Sequence, residues 1–430
     1  MKVLIVGGGG REHALAWKIR QSPLVSEILV APGNAGTAKL ARNVAIPTKD
    51  VKGLVELAKT ERVDLVVVGP EDPLVAGLAD ELRAAKIDVF GPGAAGARLE
   101  GSKAYAKEFL EAHRIPTGFS KKFDRSGAAK AYLEGQKQWP QVIKADGLAA
   151  GKGVFIVSSA REGGVVIDQL MEEKKLGAAG ARIVIEEFLS GEEISVLAIT
   201  DGETILILEP VMDHKQAGDG DTGPNTGGMG VVSPHPAVST RLMRQIEQHV
   251  FVPTLHGLRC EEVEFRGVIF AGLMLTESGP KVLEYNCRFG DPETQAVMRR
   301  MKSDLVPYLL AAARGKLNEL EGPDWDRRAC IGVVGAADGY PGDYRRGDPI
   351  EGLDSAETVD EVVVFHAGTR EQGRQTVTDG GRVLCVTALG ADADEARERA
   401  YAGYERVRWT GKFARRDIGL KRPIKTRTVR

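Results

Sequence analysis

The run Lys281-Val282-Leu283-Glu284-Tyr285-Asn286-Cys287-Arg288 ends an apolar, strand-like segment on side chains able to hold a cation and an anion together. Strand alternation puts Glu284 and Asn286 on one face, about 7 Å apart along the chain, close enough to share hard cations with nucleotide phosphates. Arg288, two residues on, is placed to meet a carboxylate or phosphoryl oxygen in fork geometry. A structural salt bridge is the competing reading of the same residues.

Three other segments could serve the same chemistry. Lys144-Ala145-Asp146-Gly147-Leu148-Ala149-Ala150-Gly151-Lys152-Gly153 approaches a P-loop but is one residue short, and Gly153 stands where a magnesium-binding Ser or Thr would be. Two lysines around a glycine loop suit a lid over a triphosphate instead, with a mobile surface hairpin as the alternative. Ile183-Val184-Ile185-Glu186-Glu187-Phe188-Leu189 is a buried strand running into a hinge, followed by Glu192 and Glu193. Adenine can stack there while hinge backbone reads its edge and a carboxylate accepts from ribose hydroxyls; solvated turn acids would look the same. Gly7-Gly8-Gly9-Gly10-Arg11-Glu12-His13 leads from a strand into a helix and offers N–H groups to a phosphate. Its G-x-G-x-x-G register fails at Glu12, and the second strand ends in Ala31-Pro32-Gly33-Asn34 with no ribose-gripping acid, so a phosphosugar is favoured over NAD. A tight turn with no ligand remains the bland alternative. Arg11, Asn34 and Thr37 could reach one anion, and Gly69-Pro70-Glu71 ends another strand at that edge.

The elements that must position these residues follow from periodicity. Short β-branched runs at 3–6, 28–30, 64–68 and 88–90, each soon followed by glycine or proline, predict a parallel α/β sheet. A helix over 102–112 and a linker with Pro116 open a second domain, whose strands are expected at 182–188, 194–200, 204–209, 267–275 and 281–285. A polar, glycine-rich loop over 213–230 interrupts them, and such a length without periodicity points to function. Strands at 329–334, 361–365 and 383–388, a helix at 393–407 and a basic tail predict a third domain.

Composition bounds the rest. A chain of 430 residues, 43% hydrophobic and 27% charged, predicts about two to four globular domains. A net charge of -2 argues against general attraction to nucleic acid or membrane. Cys260, Cys287, Cys330 and Cys385 lack C-x-x-C or zinc spacing, and no apolar run reaches signal-peptide or membrane-span length, so a cytoplasmic protein with reduced thiols is expected.

Gly101-Ser102-Lys103, Lys144 with its glycine loop, Glu186-Glu187-Phe188-Leu189 and Glu284-x-Asn286-x-Arg288 together resemble the ATP-grasp ligases. Within them the chain is similar, over essentially its whole length, to the glycinamide ribonucleotide synthetase family. The segments are Gly9 to Ala14, Ala31 to Thr37, Lys144 to Gly153, Asp221-Thr222-Gly223-Pro224-Asn225-Thr226-Gly227-Gly228-Met229-Gly230 and Arg288-Phe289-Gly290-Asp291-Pro292-Glu293-Thr294-Gln295, the last two highly specific to that family. The resemblance implies that ATP phosphorylates the carboxylate of glycine and that the amine of 5-phosphoribosylamine attacks the acyl phosphate. The expected fold is α/β and α+β multidomain: an N-terminal parallel α/β (pre-ATP-grasp) domain at 1–100, an ATP-grasp domain at 101–325 with a lid at about 120–190, and a C-terminal mixed α/β domain at 326–430.

By family position Lys103 and Lys144, with Gly151, Lys152 and Gly153, would hold ATP phosphates. Glu186, Glu187 and Leu189 would line the adenine, Glu193 would hold ribose, and Glu284 and Asn286 would bind magnesium or manganese. Arg288 would steady the acyl phosphate, with Asp291 as a second catalytic residue. The loop carrying Asp213, His214, Lys215, Asn225, Thr226, Gly227 and Gly228 would cover the substrates. Gly9, Gly10, Arg11, Asn34, Gly36, Thr37, Pro70, Glu71 and Gly290 complete the substrate-binding set, and the loop over 365–369 would close the site. Many members carry another metal-binding acid on the preceding strand; 267–275 has none, which leaves the second cation's ligands unassigned. Glycine and 5-phosphoribosylamine are the expected partners, with no nucleic acid or membrane, in a monomer or weak homodimer. Two rivals stay open: an ATP-grasp carboxylate-amine ligase with another acceptor, which would not need the loop over 221–230, and a nucleotide-sensing or NAD-dependent protein built on the first domain.

Overall fold

Strands apolar on both faces need cover on both, and the first domain supplies it. Lys2–Gly7 pairs in parallel with Glu27–Pro32 and Leu65–Val68, and the sheet runs Arg42–Asn43, Glu27–Pro32, Lys2–Gly7, Leu65–Val68, Asp88–Phe90. The order reverses between Lys2–Gly7 and Leu65–Val68, which opens a crevice at their carboxyl ends. The computed structural model describes residues 1–149 and 153–420, so Gly151, Lys152 and most of the basic tail lie outside the described residues.

A four-stranded antiparallel sheet, ordered Ile205–Ile207, Glu192–Thr200, Gly267–Thr276, Gly279–Asn286, forms the centre. Ile194, Val196 and Ala198 join a core with Leu4, Val6 and Val66, whereas Leu197 and Ile199 join one with Val3, Ile5 and Val67. Period-2 alternation thus spreads the central sheet over both cores of the first domain and fuses the two.

Ser120–Phe123, Ile183–Glu187, Gln141–Ala145 and Val154–Val157 make a separate antiparallel sheet covered by the helices Ser126–Glu134 and Ala160–Ile167. It has its own core, including Phe123, Leu133, Ile143, Val157, Ile167 and Ile185.

The last sheet runs Met212–Asp213, Gly230–Ser233, Ala329–Ala336, Arg382–Gly390, Val362–His366, with the helix Ala393–Arg406 packed on it. Here the structure departs from expectation. The segment 213–230 is not an unstructured loop: its two ends are strands of the C-terminal sheet, and Gln216–Gly218 pairs with Thr222–Asn225 as a hairpin. Strands of two to four residues broken by glycine and proline carry no readable period. Among the described residues no helix is long and apolar enough to cross a membrane.

Candidate active site

Glu284 and Asn286 lie on Gly279–Asn286, opposite Gly272 and Phe270 of the neighbouring strand. Burial raises the pKa of the Glu284 carboxyl, but Lys215, Lys103, Lys144 and Arg288 outweigh it and hold the group down at about 2. Lys215 Nζ sits 2.5 Å from Glu193 and 3.7 Å from Glu284. Burial works against its charge, yet Glu193, Glu284 and Asp213 keep it firmly protonated.

Lys144 and Lys107 both reach the buried Glu186, at 3.1 and 2.8 Å from one oxygen, and its other oxygen has no hydrogen-bond partner. Lys144 also donates to Leu283 O at 3.0 Å, tying the lid sheet to the central strand. Lys103 opens the helix Lys103–Ala112. Asp146 Oδ1 accepts from Ser102 Oγ and Ala104 N–H, so the end of the lid strand fixes that helix start. Gly153 immediately precedes Val154–Val157. Glu187 spends its amide on Phe119 O at 2.9 Å and its carboxylate lies 3.4 Å from Lys281; Leu189 follows two residues beyond that strand. His235, its pKa pushed down to about 4 by burial, accepts from Ala237 N–H and donates to Glu193 O, which steadies Glu193 from behind.

Arg288 is already held by carboxylates: Nε to Glu71 at 3.1 Å, Nη2 to Glu100 at 2.8 Å, with Asn286 Oδ1 at 3.2 Å. Arg288 is thus ion-paired at the sheet edge, with Glu71 and Glu100 as its partners. Burial raises the Glu71 pKa, but the Arg288 and Arg11 charges bring it to about 2. Glu100, which also accepts from Cys287 N–H, is raised by burial against the pull of Arg288.

At the first domain's edge Asn34 and Thr37 are tied into the turn that follows the second strand. Asn34 Oδ1 accepts from the N–H groups of Gly36 and Thr37, and its Nδ2 donates to Gly8, Gly9 and His366 carbonyls. Thr37 is fully buried and bonds Asn34 O and Asn43. Both build the turn, and their hydrogen-bonding capacity is used there. Arg11 donates to Glu12 and to Phe289 O, and Asp291 accepts from Arg11 N–H and Gln295, so the glycine-rich turn of Gly9 and Gly10 is laced to 289–295. Burial would raise the Asp291 pKa, but Arg382 and Arg11 lower it. Pro70 caps the short helix Glu71–Val75, and Gly290 O accepts from Thr294.

In the 213–230 segment, Asp213 Oδ1 is buried without a hydrogen-bond partner beneath Gly228, where an added Cβ would come within 2.6 Å of it. Gly228 has φ +117, which also favours glycine. Burial and the Glu293 charge push the Asp213 pKa up. His214 is buried and turned onto Gly230 O. Thr226 likewise bonds Lys215 O and Gly228 N–H, while Asn225 pairs with Gln216. Gly227 donates to Tyr340 Oη and accepts from Arg382.

Glu100, Arg382 and Lys107 were not singled out in the sequence, and Glu293 was quoted only within the motif over 288–295. Only Lys107 had a local signal, its i+4 spacing from Lys103, which puts both on one helix face. Among the described residues no group of three or more His, Cys, Asp or Glu could hold a metal. Two oxygen donors facing lysines fit a hard cation that takes its remaining ligands from phosphates and water.

Residues 1–100 match the phosphoribosylglycinamide synthetase N domain, 101–294 its ATP-grasp (A) domain and 330–421 its C domain. The chain is 53% identical over 425 residues to a phosphoribosylamine–glycine ligase of Escherichia coli O6:H1, covering 98% of each. It is 50% identical over 424 residues to that of Vibrio cholerae, again covering 98% of each. The crystal structure of the Thermotoga maritima phosphoribosylamine–glycine ligase superposes with TM-score 0.85 at 35% identity, covering 97% of this chain and 100% of that one. A Hydrogenobacter thermophilus 2-oxoglutarate carboxylase biotin carboxylase domain shares the fold, with TM-score 0.72 at 16% identity over 96% and 91% of the two chains.

Proposed function

We infer that this chain, which belongs to the phosphoribosylglycinamide synthetase family, is an ATP-dependent phosphoribosylamine–glycine ligase of purine biosynthesis. It joins glycine to 5-phosphoribosylamine and yields glycinamide ribonucleotide, ADP and phosphate. The observation that carries this reading is the meeting, at one strand end, of Glu284 and Asn286 with Lys215 and Arg288, laced through Phe289 to the turn of Gly9, Gly10 and Arg11.

A carboxylate resists attack because its leaving group would be oxide, and phosphorylation by ATP supplies a good one. Lys103 and Lys144 orient the ATP phosphates, with Gly151, Lys152 and Gly153 closing over them. Glu186, Glu187 and Leu189 line the adenine, and Glu193, held by Lys215 and His235, takes the ribose. Glu284 and Asn286 would hold magnesium or manganese, which offsets charge building on the transferred phosphoryl group. Arg288 steadies the acyl phosphate with Asp291 nearby, and the segment with Asp213, Lys215, Gly227 and Gly228 covers the substrates. Gly9, Gly10, Arg11, Gly36 and Gly290, with Asn34, Thr37, Pro70 and Glu71, form the surface that takes phosphoribosylamine. A cytoplasmic monomer or weak homodimer is the expected setting.

Phosphate release measured with glycine and freshly generated phosphoribosylamine, each omitted in turn, tests the assignment. Both are expected to be required. Free replacement by other amino acids or amines would favour an ATP-grasp ligase with a different acceptor.

A further inference from the structure

Arg415 has a side chain withdrawn fully from solvent, unusual for a guanidinium. Its Nε and Nη2 form a fork with Asp417 at 2.8 Å each, Nη2 lies 3.0 Å from Asp221, and Nη1 donates to Gln216 O at 3.1 Å. The next residues join in: Arg416 N–H donates to Asp219 at 2.7 Å, and Asp417 accepts from Gly220 N–H at 2.8 Å. Ile418 packs where an added Cβ on Gly230 would come within 2.6 Å. The first strand and the turn of the 216–225 hairpin, together with the strand that follows it, are therefore gripped by four consecutive residues of the C-terminal segment.

A two-stranded ribbon of three and four residues is not stable alone. Its order must be supplied from outside, and a planar guanidinium that forks onto a carboxylate fixes direction as well as distance. Lys215 immediately precedes the ribbon and reaches Glu193 and Glu284, and Asp213 lies two residues before it.

We propose that Arg415, with Asp221 and Asp417, is a latch that positions the substrate-covering hairpin, making it a positioning residue for the ligation that acts through Asp213 and Lys215. The segment then belongs to the C-terminal domain mechanically and reaches the site as a preformed arm. This rests on the reading of 213–230 as the substrate cover.

The test replaces Arg415→Lys in the full chain, keeping the charge and losing the fork, and follows two readouts. Hydrogen exchange over 216–225 is expected to accelerate at least tenfold with the N-terminal sheet unchanged. The kcat/KM for glycine and for phosphoribosylamine is expected to fall at least tenfold, with ATP affinity, measured by direct binding, within threefold, because adenine and phosphates are held from the lid side and His235 still steadies Glu193. Unchanged exchange would overturn the latch. Accelerated exchange with unchanged kinetics, or an equal loss for ATP and both other substrates, would overturn the positioning role. If Arg415→Lys fails to fold, Asp221→Asn, whose carboxylate is 42% exposed, undergoes the same measurements with the same expectations. A wild-type enzyme that formed ADP without glycine would sink the proposed function separately, whatever the exchange result.

Discussion

Glu284 is a carboxylate that four cations hold ionised, Lys215, Lys103, Lys144 and Arg288, and its side chain keeps 33% of its surface open. A group placed this way can give an oxygen to a cation without first losing a proton. Glu284→Ala is therefore expected to lower kcat at least a hundredfold, about 2.7 kcal/mol of transition-state stabilisation. The thermal midpoint should move only a few degrees, because Lys215 keeps its 2.5 Å contact with Glu193. Activity retained at ordinary magnesium would remove the metal role. The grouping of Glu284, Asn286 and Arg288 was legible because the first two share a strand and Arg288 follows two residues past its end. The carboxylates that hold Arg288 were not, since Glu71 and Glu100 stand 217 and 188 residues away and only folding brings them in. The turn-building bonds of Asn34 and Thr37 were not legible for a related reason: a side chain that builds a turn and one that faces a ligand have the same type and spacing.

The helix Gly10–Ile19 and the strand Val362–His366 meet through two imidazoles, and this contact makes a pH prediction. His366 N–H donates to His13 Nδ1 at 2.8 Å, which requires a neutral His13. Burial, helped by His366 and Lys39, pushes His13 down to about 3, and burial with Lys39 pushes His366 to about 4. Unfolded histidines titrate near 6.5, so below that pH the unfolded chain binds the extra protons and stability falls as pH drops. Each histidine contributes up to about 1.4 kcal/mol per pH unit between roughly 6.5 and its folded value, and nothing above that window. His13→Gln keeps an acceptor for the His366 amide. Its urea-unfolding free energy is expected to lose about 2 kcal/mol less than wild type between pH 7 and pH 5; equal losses would show that His13 titrates normally in the fold. Strands such as Lys2–Gly7 and Gly267–Thr276 were plain from their apolar runs. Ser120–Phe123, with two exposed lysines among four residues, was not.

Across the whole molecule, the N-terminal and central sheets share cores while the sheet over 120–187 keeps its own, so it is the part freest to move relative to Glu284 and Asn286. The order of the three regions along the chain was legible. The membership of 212–233 in the C-terminal sheet was not, because Gly230 pairs with Val333 across a hundred residues of intervening fold. Together these parts enclose a reaction whose distinguishing step is transfer of a phosphoryl group to the carboxylate of glycine. That step moves an oxygen, which can be followed. With glycine carrying 18O in both carboxylate positions, mass spectrometry of the released phosphate reads the step directly. The account predicts one 18O in every phosphate formed alongside glycinamide ribonucleotide, whereas unlabelled phosphate accompanying labelled product would contradict it.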